Sequence, residues 1–174
     1  MIDPRYPIGK YQPQPFSAEL KNKWIDDIKY LPEILEAAVN NLDEYQLNTP
    51  YREDGWTLKQ VVHHVADSHM NAYVRFRLGL TENNPTIKPY DENAWSKLPD
   101  IEIVPINVSL TLLHALHHRW YVLLTKMKNE DFERTVVHPE HGRQMSLWML
   151  LGLYAWHGKH HTAHITSLRD EKKW

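Results

Sequence analysis

Residues 156–164 read WHGKHHTAH, which places four of the chain's 12 histidines within eight residues. Imidazole exchanges protons near neutral pH and ligates transition metals through either ring nitrogen. In a helix, residues i and i+4 share a face with Cβ atoms about 5 to 6 Å apart, so two imidazoles at that spacing can meet one cation at nitrogen–metal distances of about 2.0 to 2.1 Å. His157 and His161 have this spacing. A single buried histidine is more often a neutral group satisfied by a backbone carbonyl, so a third ligand has to decide the matter. The stretch HHVADSHM, residues 63–70, offers three. Helical phase groups His63 with Lys59, Gln60 and Asp67, a solvent-facing set, and puts His64 at the flank of the apolar stripe of Val61, Val65 and Ala72. Periodicity leaves His69 open as a rival to His64.

What else the chain could do with metals or nucleophiles is narrowed by what is missing. There is no cysteine, which removes disulfides, thiolate-ligated zinc, iron–sulfur clusters and a cysteine nucleophile. HExxH, CxxCH and ExxH are all absent, and with them the helical zinc-protease, c-type haem and paired Glu/ExxH di-iron readings.

The histidine stretches must be held by regular elements, and the apolar spacing supplies four long helices. The first is predicted to start at Ser17 as N-cap and to carry Leu20, Trp24, Ile28, Leu31, Leu35, Ala38, Val39 and Leu42 at intervals of three or four, with Pro32 expected to kink or divide it. Thr57 and Gln60 form a T-x-x-Q capping box at the head of a second helix reaching about Leu80. The third fits residues 108–128, and the fourth begins near Ser146 and runs to about Leu168. On this last helix His157 and His161 fall within the apolar stripe of Leu147, Leu150, Tyr154, Ile165 and Leu168, His164 near its edge and His160 further out. ERTVVHPEHGRQMS, residues 133–146, reads as a small hairpin, in which His138 and His141 are expected to be exposed polar residues. Residues 1–16, rich in Pro and Tyr, read as an extended arm lying along the domain or a partner. About 26 residues separate the second and third helices, well beyond the usual connection of about 4 to 6, and such loops tend to be functional. The fold class is therefore all-α, a four-helix bundle with an N-terminal arm and one long loop.

At 174 residues the chain fits a single domain, 1–174, with a substantial core. A formal net charge of -2 gives no general attraction to nucleic acid or anionic membrane. The longest uncharged apolar stretch, LWMLLGLYAW, is about half of the roughly 20 residues that span a bilayer, and the charged, proline-rich N-terminus does not read as a secretory signal. A soluble, cytoplasmic protein is expected.

WTLKQVVHHVAD, with Trp56 eight residues before His64, resembles the second-helix signature of the DinB superfamily, and HGKHHTAHI from His157 resembles its C-terminal HxxHH motif. YPIGKY, TPYREDGWT, QVVHHVADSHMNAY, KPYDENAW and GLYAWH are similar to the YfiT subgroup, so the resemblance spans nearly the whole chain. It implies an up-down-down-up four-helix bundle, commonly a homodimer, with one divalent metal per chain held by His64, His157 and His161. It thereby selects His64 over His63 and His69. Members of the subgroup are described as metal-dependent hydrolases, and relatives act as thiol S-transferases with bacillithiol or comparable low-molecular-weight thiols. Lys159 stands where relatives can carry a further histidine, outside the ligand positions.

Three neutral ligands leave one coordination position free, the pattern of a catalytic rather than a structural metal. An imidazole set suits Zn²⁺, and also Ni²⁺ and other transition metals. Such an ion brings a bound water to a pKa near 7 or deprotonates a bound thiol. The expected function is divalent-metal-dependent chemistry on small molecules, led by transfer of a low-molecular-weight thiol to an electrophile, with hydrolysis next. The competing expectation is a non-catalytic metal-binding or small-ligand-binding stress-response bundle. Secondary candidates are Asp67, one turn beyond His64, as an acceptor orienting a ligand imidazole or a plain solvated carboxylate, and His160 and His164 as outer bases or packed residues. Tyr90, Asp91 and Trp95 in the long loop are candidate lid residues. Arg75 is an anion clamp or a surface ion pair.

Overall fold

The computed structural model describes residues 3–139 and 142–174, so Glu140 and His141 of the predicted hairpin lie outside the described residues. Four long helices carry the fold. They are α1 (Ala18–Val39), α3 (Leu58–Thr81), α6 (Ile106–Lys126) and α7 (Leu147–Lys172). Short helices α2 (Glu44–Leu47), α4 (Glu92–Trp95) and α5 (Pro99–Ile103) lie in the connections, together with a 3-10 turn at Asn129–Glu133 and an antiparallel hairpin of β1 (Thr135–His138) and β2 (Arg143–Ser146).

The helix starts follow from side chains that can cap orphan N–H groups. The Ser17 hydroxyl accepts from the Leu20 amide, the Ser146 hydroxyl from that of Met149, and Thr57 and Gln60 form the reciprocal box expected of them. Pro32 neither divides nor ends α1, which runs unbroken across it. The proline removes one donor: the Ile28 carbonyl, four residues earlier, has no amide N–H to accept from. That carbonyl instead accepts the Nδ1 hydrogen of His117, from α6.

α1 packs against α6 and α7, and so does α3, leaving α1 and α3 on one diagonal and α6 and α7 on the other. Directions follow from paired contacts. His63, His69 and Phe76 on α3 meet Ser109, His117 and Trp120 on α6, both series rising, so these neighbours are parallel. Trp24 and Ala38 on α1 meet Trp148 and Arg169 on α7, again parallel. Arg75 and His64 on α3 meet Tyr154 and His157 on α7, an antiparallel pair. Glu36 and Ile28 on α1 likewise meet His114 and His117 on α6. The bundle is up-down-down-up.

Parallel neighbours explain the long connection, because the chain must return along the bundle before α6 can start. The return path is pinned at both ends. The Ile87 amide donates to Val137 and that of Val137 to Pro85, tying the path to β1, while the Lys59 ammonium donates to the Glu102 carbonyl and the Gln60 amide to that of Ser96. This overturns one expectation. The α3 face with Lys59, Gln60, His63 and Asp67 is covered by the crossover rather than by solvent, and His63 is only 4% exposed, bonded to Ser109 and the Val104 carbonyl.

The N-terminal arm lies along α7. Trp148 donates to the Gln14 carbonyl, Trp156 to that of Gly9, and the Tyr11 hydroxyl to that of Met149. Close approach of α1 to α7 requires small residues. A Cβ on Gly158 would stand 2.5 Å from Leu31, and one on Gly152 2.7 Å from Trp24. Two apolar clusters fill the interior, one around Ile28, Phe76, Trp120 and Leu150 and the other around Leu35, Val61, Leu113 and Ile165. No helix is long and apolar enough, among the described residues, to cross a membrane.

Candidate metal centre

The antiparallel crossing of α3 and α7 puts His64, His157 and His161 side by side at the floor of a cavity of about 520 Å³. One ligand atom from each lies within 4.8 Å of the others, and the Nε2 atoms of His64 and His157 are 3.2 Å apart. Two nitrogens on one tetrahedral cation, each at about 2.0 to 2.1 Å, stand about 3.3 Å from one another. The separation therefore fits joint ligation. Trp56 forms a wall, its ring 4.6 Å from that of His64 and 6.4 Å from that of His161.

Burial holds these imidazoles neutral, the form that ligates. It pushes His64 down to about 4, with the nearby His160 and His164 adding to the effect. His157 and His161 are held well below the usual histidine range, first by burial and then by neighbouring imidazoles. Among the described residues no carboxylate joins this group. A dication placed there would keep its full charge, and that favours an anionic reactant in the remaining position.

The expectations for the surrounding residues fare unevenly. His69 is not beside His64 at the cavity floor but behind His157, fully buried, with its Nε2 3.2 Å from the His157 Nδ1. Asp67 faces the crossover, not the ligands; burial and then Asp100 raise its carboxyl to about 6, so it is neither a freely solvated carboxylate nor an acceptor for a ligand ring. Arg75 donates to the Tyr154 hydroxyl and the Lys88 carbonyl, and it does not line the cavity. Of the crossover, Glu92 and Asn93 reach the cavity. Asp91 caps α4 and Tyr90 stacks against Trp95. His138 is half-buried at the end of β1 rather than exposed.

His160 is as buried as His64 and His161, because α7 and the arm both cover it: Trp156 of α7 stacks on its ring at 4.4 Å and Tyr6 of the arm lies at 5.9 Å. His164 stacks on Tyr51 at 4.0 Å. His160 and His164 also form a second convergent group with His161, and the Nδ1 atoms of these three are buried without a partner. Burial holds both outer rings down at about 4. Arg5, Arg52 and Asp54 complete the mouth of the cavity. Charged residues in an arm and a turn carry no periodic signal, so helical phase does not single these three out; Arg52 and Asp54 fall within TPYREDGWT, and Arg5 within no motif.

The model of the DinB superfamily matches residues 28–165. The chain is 54% identical over 175 residues to a protein of Bacillus cereus (strain ATCC 10987) named "Putative metal-dependent hydrolase", and equally to one of that name from Bacillus anthracis (strain CDC 684), covering all of both chains in each case. Among solved structures it is similar to YfiT from Bacillus subtilis, described as "a probable metal-dependent hydrolase with an unusual four-helix bundle topology". That match has a TM-score of 0.97 at 48% identity over 99% of each chain.

Proposed function

Since the chain belongs to the DinB superfamily, we propose that it is a metal-dependent enzyme that joins a small anionic nucleophile to an electrophile in the cavity above His64, His157 and His161. The observation that carries this reading is the convergence of three neutral imidazoles, with no carboxylate among them, on the floor of an open cavity. A divalent cation, Zn²⁺ first by ligand type, would supply Lewis acidity there, lowering the pKa of whatever protic reactant takes the position the protein leaves free.

A cavity of about 520 Å³ is the size of a small-molecule site rather than a polymer groove. Arg5 and Arg52 at its mouth suit a reactant that carries carboxylates as well as a nucleophilic atom. With no cysteine in the chain, a low-molecular-weight thiol is the sulfur source for such chemistry. In the leading reaction its sulfur bonds to the electrophilic carbon, the leaving group departs with the electron pair, and the thiol proton passes to solvent or to Glu92 or Asp54, the carboxylates of the lining. Attack by water is the second reading, favoured by the names of the Bacillus relatives.

Elemental analysis of the purified protein is expected to give one divalent metal per chain. Chelated and zinc-restored samples are then compared with a generic electrophile, with and without a small thiol. Thiol-dependent product in the restored sample alone supports S-transfer, and product that forms equally without thiol assigns the reaction to water. Full turnover in the chelated sample would remove the metal from the mechanism. No product in either sample, together with a large fall in melting temperature on chelation, would mark a structural metal.

A further inference from the structure

Behind the candidate ligands runs a file of imidazoles that the proposed chemistry does not use. His157 Nδ1 lies 3.2 Å from His69 Nε2, and His69 Nδ1 lies 3.1 Å from His117 Nε2. His117 Nδ1 in turn meets the Ile28 carbonyl. The direction of the whole file follows from its far end. A carbonyl oxygen accepts and never donates, so the hydrogen there sits on His117 Nδ1. A neutral imidazole carries one N–H, so His117 Nε2 is a bare acceptor and the hydrogen toward it belongs to His69 Nδ1. The same step repeats: His69 Nε2 is bare, and the next hydrogen belongs to His157 Nδ1. His157 Nε2 is left as a lone pair facing the cavity floor. The only hydrogen available to the 3.2 Å gap between the His64 and His157 Nε2 atoms is then one carried by His64.

Each link has a cause in the chain. The carbonyl is free because Pro32 contributes no N–H to α1. His69 and His117 are 0% and 1% exposed and wedged by Trp120, whose ring packs edge-on against both, so neither can exchange its partner for water.

We propose that His69 and His117 are positioning residues of the metal centre: anchored on the Ile28 carbonyl, they fix His157 as its Nδ1–H tautomer and hold its Nε2 lone pair toward the cation. The proposal rests on the metal-centre reading above. It assigns to a histidine file the orienting role that ligand imidazoles usually receive from a carboxylate or a single carbonyl.

Two measurements on the full-length protein test it. Long-range proton–nitrogen correlation spectra of the zinc-free, ¹⁵N-histidine-labelled chain at neutral pH are expected to show His157 protonated at Nδ1 and bare at Nε2; the opposite tautomer overturns the proposal. Zinc affinity, read by competition with a chromophoric chelator using Zn²⁺ alone, is expected to fall about 10- to 100-fold in His69→Phe, which fills the space but breaks the file. His69→Gln, whose amide can accept from His157 and donate to His117, is expected to recover affinity to within about three-fold of the parent. Equal affinity in His69→Phe and the parent overturns the proposal, as does equal loss in the Phe and Gln variants. If the parent itself takes up no zinc, the metal-centre reading fails, and the His157 tautomer still decides the file by itself. If His69→Phe does not fold, the parent spectrum and the Gln variant carry the test.

Discussion

One face of α7 carries two kinds of histidine that differ in nothing but what stands opposite them. His157 looks inward and both its ring nitrogens are engaged, one by His64 and one by the file that ends at Ile28. His160, next to His161, and His164, three residues beyond it, are buried as well, yet their rings lie flat on Trp156 and Tyr51 and their Nδ1 atoms have no partner. Burial alone thus makes neither a ligand nor a directed group. Directional hydrogen bonds do that, and for His157 they come from α3 and α6, whereas the aromatic contacts of the outer pair come from α7 itself, the N-terminal arm and the turn before α3. In the inner group the file assigns both ring nitrogens of His157, while His161 Nδ1 has no partner; in the outer group stacking holds the rings, and His164 Nε2 donates to the Arg5 carbonyl.

That contrast can be broken most sharply at the inner residues. His157→Ala, His161→Ala or His64→Ala is expected to lower zinc affinity and turnover by at least about 100-fold, since a two-imidazole site no longer encloses a tetrahedral ion. Equilibrium dialysis with Zn²⁺ and initial rates check this. Unchanged affinity in His64→Ala or His157→Ala would move the centre to the outer group, which shares only His161, and unchanged affinity in His161→Ala would remove both groups.

Acid should expose a cost that both groups share. His117, His64, His160 and His164 are held at about 4 in the folded chain against an ordinary value of 6.5. Above about pH 6.5 neither the folded nor the unfolded chain is charged at these rings and no stability is lost. As the pH falls from about 6.5 toward 4 the unfolded chain takes up protons first, so stability declines across that window. Urea midpoints of zinc-free protein measured from pH 8 to 4 should trace the decline. A flat profile would mean that these rings are already charged, or open to water, in the folded chain.

Smaller effects are expected outside the inner group. His160→Ala and His164→Ala should each change zinc affinity by less than about three-fold while altering the KM for the small-molecule reactant, because they line the cavity without joining the directed file. A loss comparable to that of His157→Ala would place a second cation on the outer group. Smallest of all is Pro32→Ala, which restores an N–H facing the Ile28 carbonyl. The melting temperature should rise as α1 gains a hydrogen bond, while zinc affinity slips as the carbonyl is shared with His117. A rise in both would show that the carbonyl does not orient the file.

Much of the bundle was legible in the chain. The caps at Ser17, Thr57 and Ser146 mark three helix starts because short hydroxyl side chains bond orphan amides locally, and the period of the apolar residues set helix lengths to within a turn. The i, i+4 spacing of His157 and His161 put both on one face, and the family motif added His64. Pro32 does not divide α1, and phase along the chain could not say that His117 of another helix takes up the carbonyl it frees. His63 and Asp67 misled because phase identifies the polar face of a helix without saying whether a distant segment will cover it.

By itself, then, the sequence determined that there are four amphipathic helices, that two imidazoles lie one turn apart, and that no thiol of the chain's own takes part, since caps, periodicity and composition are properties of neighbours along the chain. Only the tertiary structure decided that α3 and α6 run parallel, that the crossover seals one face of α3, and that His69 and His117 stand in line behind His157. Those are contacts between residues tens of positions apart, where the direction of a hydrogen bond depends on which atom, from which helix, ends up facing it.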